Sequence, residues 1–409
     1  MKFYFKNMFR DKKNIFKILF YLCSIVIFGE VLRDIFREGD FGGYISAGKL
    51  AWNNLPIYSD YRNTWPPFFS IICIPLYWLN ELSFIGLRLV WLIGIIVVNL
   101  IIFKWTISYF TPYQLVLNIK QEKNEQINLL NPLFILPFVC TLRIFLEEIS
   151  NLQINLFILG LSIFVLQLII QKKNLWAGIV LAFIISIKVY PILILGFLVF
   201  KKEFKSVSYT LLGLALTTII VFIYFGSDLG IELFKEWNNA QVVNGLKCEH
   251  MNQSIWGWMC GLTTQHTRID TLSYNVLNLS NLQYKAVTIT LIGILGIYIA
   301  SKFYLTKDNI NSFAKQFIIT LSLIPIISPL AWKYYFVFLT PLVIILIYNQ
   351  QKGTIKSWFY YPIILITLTS ELFLGHQLSD ITEAVGIITF CSLGISLYSI
   401  NTILIDSSS

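Results

Sequence analysis

The chain has 409 residues, of which 56% are hydrophobic, 16% aromatic and only 13% charged. A soluble domain carries about twice that charge, roughly a quarter of its residues, so this composition, with a mean hydropathy of +0.69, excludes a soluble globular protein. The formal net charge of +9 points to no nucleic-acid partner, because the excess sits in short basic clusters beside apolar runs, where it sets orientation in a bilayer.

In chain order, the basic stretch Lys2 to Lys17 leads into an apolar run, Ile18 to Phe28, that continues to Ile35 without a small-residue cleavage site. It reads as a retained first span rather than a cleaved signal. Further apolar runs fall near 66–80, 84–105, 128–146, 153–170, 174–200, 206–225, 284–304, 316–331, 333–349, 357–376 and 383–403. If 66–80 crosses and 174–200 is one long helix, Lys104, Lys120, Lys123, Lys172 and Lys173 all fall outside, against the positive-inside rule. Laying 66–80 along the outer surface and breaking 174–200 near Lys188 and Pro191 brings them inside, with Lys201, Lys202 and Lys205.

The expected fold is therefore an all-α polytopic membrane protein with about twelve transmembrane helices, cytoplasmic ends and outer-face juxtamembrane helices. It divides into an N-terminal transmembrane module, 1–225, whose first outer loop covers about 37–83; a second outer loop, 226–283; and C-terminal helices, 284–409. Cys23, Cys73, Cys140 and Cys391 lie in apolar stretches, and Cys248 and Cys260 share a polar loop. Packing thiols are the expectation, with a loop disulfide as the alternative if that loop faces an oxidising compartment. His250, His266 and His376 are far apart in sequence and show no zinc spacing.

Ionisable and amide groups gather at the outer ends of the expected helices: Asp40, Arg88, Arg143, Glu147, Glu148, Gln153, Asn155 and Lys188. A charge within a span marks a functional site by default, although any single one can snorkel to the interface. Arg88 and Lys188 enter apolar runs from the outer side, an arrangement that suits an anionic substrate with a lipid tail.

These residues also carry a resemblance. Asp40, Phe41, Tyr44 and Ala47, then Pro56, Ile57, Tyr58, Tyr61 and Trp65 to Phe68, resemble the first outer loop of glycosyltransferase family 87, the polyprenyl-phosphate-sugar-dependent enzymes that include bacterial mannosyltransferases. Gln153 and Asn155 resemble the family's Gly-Gln-x-Asn element, with Leu152 in place of the glycine; Ala177-Gly178 followed by Lys188 and Pro191 resembles its Ala-Gly-to-Lys-Pro stretch. Asn252-Gln253-Ser254 and Ser328-Pro329 with Trp332 follow in the same order. Where many relatives carry a histidine pair after the tryptophan, this chain has Lys333, Tyr334 and Tyr335.

The resemblance implies a GT-C fold in the bacterial cytoplasmic membrane and an active site on the outer face. There a hexose, with mannose the first choice, would pass with inversion from a polyprenyl-phosphate carrier to a hydroxyl of a glycan or glycolipid acceptor. Asp40 is the expected general base, and Arg88, Lys188 and Lys333 are the candidates for the donor phosphate. Tyr44, Tyr58, Tyr61, Gln153, Asn155, Asn252, Gln253, Ser254, Trp332, Tyr334 and Tyr335 are the candidates for binding substrate. No cofactor is implied, and with no Asp-x-Asp pair after Asp40, neither is a divalent metal.

Plainer readings stand beside these. Asp40 suits the first turn of a helix as such, the tyrosines suit an interfacial belt, Asn252-Gln253-Ser254 also fits a glycosylation sequon, and His250 reads as a loop histidine. The competing function is a lipid or glycolipid transporter, which would place its charges nearer the membrane midplane.

Overall fold

The computed structural model describes residues 2–60, 62–117, 125–244, 248–265 and 275–404. Tyr61 and His266 lie outside them. The described chain is almost entirely helical. The first helix, α1 (Lys2–Asp34), is followed by α2 (Gly39–Trp52), a single turn at Ile57–Ser59, α3 (Pro67–Leu82) and α4 (Phe84–Phe110). A two-residue parallel pairing of Gln114–Leu115 with Gln126–Ile127 precedes α5 (Pro132–Ser150) and α6 (Asn155–Ile170). Then come α7 (Asn174–Ile187), α8 (Ile192–Phe200), α9 (Phe204–Phe225), α10 (Ser227–Asn244) and α11 (Ile255–Thr263). The C-terminal part holds α12 (Asn281–Leu305), α13 (Ile310–Ile327), a 3-10 segment at Lys333–Leu339, α14 (Thr340–Gln351), α15 (Tyr360–Leu368), α16 (Glu371–Val385) and α17 (Ile387–Thr402).

Local sequence sets many of these boundaries. Proline opens α3 and α5, where its missing N–H costs nothing. Ser83 caps α4 through the Gly86 N–H at 3.0 Å, Asn309 caps α13 through Ser312 at 2.8 Å, and Ser280 with Gln283 forms a capping box on α12.

Among the described residues, six helical segments are long and apolar enough to cross a membrane: Asn14–Asp34, Phe84–Phe110, Phe204–Phe225, Asn281–Leu305, Ile310–Ile327 and Lys333–Gln351. A pair of helices at Ser357–Leu368 and Phe373–Val385, bent by 108°, brings the number to seven if it is taken as one broken span. The expected twelve thus exceed what helix length alone supplies. The spans differ in what surrounds them: the windows in α1 and α12 are 6% and 17% buried, whereas those at Ile310–Ile327 and Lys333–Gln351 are 72% and 78% buried. The latter pair forms the protein core, and the former present apolar side chains outward, as lipid-facing helices do.

The 174–200 run does break as expected, between Ile187 and Ile192. It also turns back. Ser206 bonds Asn174 at 3.3 Å, and Ser186 pairs with Thr217 at 2.8 Å, so α7 and α9 run side by side in the same direction. Lys172 lies 3.9 Å from Glu203, which puts both ends of the α7–α8 excursion at one level. With roughly 1.5 Å per residue, α7 and α8 reach only about 21 and 14 Å, less than a ~30 Å core. They form a re-entrant hairpin with Lys188 at its tip.

Backbones approach closely where the hairpin and the first outer segment are seated. A Cβ added at Gly178 would fall 2.8 Å from the Thr210 backbone nitrogen, and one at Gly48 would fall 2.2 Å from the Cys73 carbonyl oxygen. Small residues allow such helix contacts in apolar surroundings. Cys248 and Cys260 are joined in a disulfide, which corrects the expectation of packing thiols in that loop.

Candidate active site

Asp40 lies in the first turn of α2, beside the link between α5 and α6. Its Oδ2 accepts hydrogen bonds from Gln153 Nε2 and, at 2.8 Å, from the Tyr334 hydroxyl. Among the described residues its Oδ1 accepts none, so one oxygen is fixed and the other is open.

From Asp40 the network runs inward. Gln153 is 1% exposed and Asn155 fully buried, and buried amides have to find partners. Gln153 Oε1 accepts Lys188 Nζ at 3.1 Å and the Tyr44 hydroxyl at 3.2 Å. Asn155 Oδ1 accepts Lys188 Nζ at 3.1 Å and the Tyr190 hydroxyl at 2.7 Å. Because a carboxylate needs a donor and an ammonium needs an acceptor, this amide orientation of Gln153 is the one both charges require. Lys188 Nζ also lies 5.0 Å from the Tyr335 ring centroid, within cation–π range. Tyr44 is held edge-on by Trp65 and Phe69, at 4.9 and 5.2 Å.

A cavity of about 560 Å³ opens beside Lys188. Lys188, Tyr190 and Tyr335 line it together with Ile192 and Leu193 of α8 and Ile324 and Ile327 of α13. Thr64, Trp65 and Trp237 also border it, and Trp237 is anchored by its indole N–H on the Thr64 carbonyl at 3.1 Å. The lining therefore pairs one cation and phenolic groups with a largely apolar wall.

Other sequence candidates fall elsewhere. Asn252, Gln253 and Ser254 are buried and clamp the 327–331 segment rather than joining the Asp40 network. Asn252 Nδ2 donates to the Pro329 carbonyl at 3.1 Å, Asn252 Oδ1 accepts the Ala331 N–H at 3.1 Å, and the Gln253 N–H donates to the Ala331 carbonyl at 2.7 Å. Ser254 caps α11. This clamp sets the approach of the 3-10 segment that carries Tyr334 and Tyr335.

Lys333 is engaged by Glu383 at 2.8 Å and Glu147 at 3.4 Å. Arg88 is 1% exposed, lies 3.4 Å from the Phe84 ring centroid and donates to Asn80 at 3.3 Å; among the described residues it makes no hydrogen bond to the Asp40 network. Of the expected phosphate-binding cations, Lys188 alone joins that network. Trp332 packs edge-on against Tyr334, and among the described residues its buried indole N–H has no acceptor. Tyr58 bonds the Trp65 carbonyl at 2.9 Å and shapes the loop; burial, then the Glu236 charge, pushes its phenol pKa up, so it stays a donor.

The competing acids are occupied. Asp34 is 3% exposed and paired with Arg33 at 2.9 Å. Asp60 bonds Arg62 through both oxygens and accepts its backbone N–H at 3.0 Å. Burial alone would raise the Asp60 pKa, but these bonds outweigh it and hold the carboxyl below its usual range. Tyr190 has no counterpart among the sequence candidates and was signalled only by its place inside the Lys188–Pro191 break; Glu148, one of the charges the sequence gathers at the outer helix ends, is fully buried beside Asn155 and has Lys188 and Asp40 as electrostatic neighbours.

Fold and site together define a helical membrane protein with a carboxylate and an ammonium bridged by one amide beside an apolar cavity. Its sequence matches the family model of Glycosyltransferase family 87 over residues 63–329, and the chain belongs to that family. It is a membrane glycosyltransferase. Asp40 lies before the matched stretch and Trp332 to Tyr335 lie after it, so the case for these residues rests on geometry. No curated protein matches the chain.

Proposed function

We propose that the enzyme transfers a hexose, mannose by family resemblance, from a polyprenyl-phosphate carrier to an acceptor hydroxyl on the outer face of the membrane. The observation that carries this reading is the Asp40 carboxylate: Oδ2 is held by Gln153 and Tyr334 while Oδ1 is open, one amide away from Lys188. The donor phosphate sits by Lys188, and its isoprenoid chain lies along the apolar wall of α8 and α13. Asp40 Oδ1 takes the acceptor proton as the acceptor oxygen bonds to the anomeric carbon. The bond from that carbon to the phosphate oxygen breaks with its electron pair, and Lys188 meets the charge that develops there. One displacement gives inversion. The carrier phosphate departs where a glycosidase would use a second carboxylate, and the transfer so written uses no cofactor.

Orientation is supported by two features. The basic clusters flanking the α7–α8 hairpin fit the cytoplasmic side. The Cys248–Cys260 disulfide fits a loop in an oxidising compartment, outside a bacterial cytoplasmic membrane. In this reading residues 1–225 carry the base and Lys188, and Trp237, α13 and Tyr335 complete the donor cavity.

The test is transfer from a polyprenyl-phosphate hexose by purified Asp40→Asn protein. A fall of about 10²–10⁴-fold with donor binding retained is expected for loss of a positioned base. Near-parental turnover would overturn the assignment.

A further inference from the structure

A second charged cluster joins α5, α16, Lys333 and the loop that carries His250. Glu383 is 2% exposed, and its Oε1 faces Lys333 Nζ at 2.8 Å, Arg143 at 3.8 Å and the Ser379 hydroxyl at 3.5 Å. Among the described residues its Oε2 takes no hydrogen bond. Asp380 meets two of the chain's three histidines: His250 Nε2 lies 3.6 Å from one oxygen, and His376 Nδ1 lies 2.8 Å from the other. One ligand atom each from His250, Asp380 and Glu383 falls within 4.8 Å of the others.

Two observations point to something held between these groups. The first is charge. Glu147 and Glu371 lie within electrostatic reach of Arg143, alongside Glu383, and Asp380 is close by; Arg143, Lys333 and, toward Glu147, Arg33 are the fixed cations facing them. Four carboxylates thus face three fixed cations, with His250 and His376 beside Asp380. The second is an orphan. Gln253 is fully buried, and its Nε2 donates to the carbonyls of both His250 and Glu383, at 2.5 and 2.9 Å. Among the described residues its Oε1 is buried with no hydrogen-bond donor, an unpartnered acceptor on the amide that links the His250 and Glu383 backbones.

We propose that His250, Asp380 and Glu383 bind one divalent zinc-class ion. Imidazole with carboxylates suits zinc, whose bonds to them are about 2.0–2.2 Å long. Tetrahedral ligands at that distance lie roughly 3.3 Å apart, so the His250–Asp380 pair needs little adjustment. Glu383 supplies Oε2, its Oε1 remaining with Lys333. His376 steadies Asp380 from outside. The ion ties the His250 loop to α16 next to Lys333, the neighbour of Tyr334, and so braces the site from a distance without touching the reacting atoms.

The experiment uses tag-free full-length protein in detergent, stripped with EDTA and reloaded with zinc, with metal content measured by mass spectrometry and thermal unfolding followed in parallel. The expected result is about one zinc per chain and a raised unfolding temperature in the parent, with both lost in His250→Ala and Asp380→Asn. A parent chain that takes up no zinc, or takes up magnesium or manganese in its place, overturns the proposal whatever the variants do. Full zinc retention in both variants overturns it as well.

Discussion

Gln153 turns its amide oxygen to Lys188, 3.1 Å from Nζ, and its amide nitrogen to the Asp40 carboxylate. One buried neutral group thereby holds an acid and a base apart while satisfying both. Without it the two charges would collapse into a direct ion pair, and the base would be weakened. Gln153→Leu is expected to lower turnover by roughly 10–100-fold, the worth of a hydrogen bond to a charged group. Folding should survive, as judged by thermal unfolding. Unchanged turnover would count against the bridge.

Lys188 is expected to act on the leaving phosphate. Lys188→Ala should cut kcat by about 10²–10³-fold, in line with removal of one charge-stabilising donor. Lys188→Arg should recover part of it, since a guanidinium keeps the charge but not the point geometry. Donor affinity and turnover measured on both variants check this; equal donor use in Lys188→Ala and the parent would refute it.

Asn252 is expected to matter for stability first. Its side chain ties residue 252 to Pro329 and Ala331, so Asn252→Ala should destabilise the protein by about 2–3 kcal/mol through lost bonds and buried groups left unpaired. Denaturation midpoints in detergent measure the loss. A variant as stable as the parent but impaired in donor binding would make Asn252 a substrate residue instead.

Asp60 should prove structural. Asp60→Asn is expected to leave transfer close to parental while Arg62 keeps its pairing with Glu38. Because the folded pKa of Asp60 is depressed, its contribution to stability is present above the unfolded value near pH 3.9 and is lost as the pH falls through the lower folded value. A comparison of parent and variant unfolding between about pH 2 and 6 shows this, and a dead but folded Asp60→Asn protein would shift the base role to it.

Much of the site was legible in the sequence for a local reason. A lysine and a proline inside an apolar run announce a break, and Gln153 and Asn155 stand at the head of the next helix, so Lys188 had few other places to put its charge. What stayed hidden was long-range pairing. Lys333 reads as a free cation until Glu147 and Glu383 are brought to it from distant parts of the chain. Asn252-Gln253-Ser254 reads as a binding motif because its residue types bond polar groups well, yet the groups it bonds are the chain's own carbonyls. Hydropathy likewise cannot separate a short helix folded back in a hairpin from a full crossing, which is why twelve apolar runs yield six long spans. Leu152 shows the same limit: it occupies the position of the family's glycine and takes a positive φ of 45°, a strain that burial of its side chain offsets.

The re-entrant hairpin fixes the depth of the chemistry. Ser186, next to the tip, pairs with Thr217, and α9 continues beyond that point from Thr218 to Phe225, about 12 Å at a rise of roughly 1.5 Å per residue. The hairpin tip that carries Lys188 therefore lies short of the end of a neighbouring span. Under the proposed reaction, a donor phosphate must sink below the plane of its neighbouring headgroups to reach it, entering sideways from the bilayer. Saturation is then governed by the mole fraction of carrier lipid in the membrane, so diluting the donor with bulk phospholipid at constant total concentration slows the enzyme as effectively as withholding it.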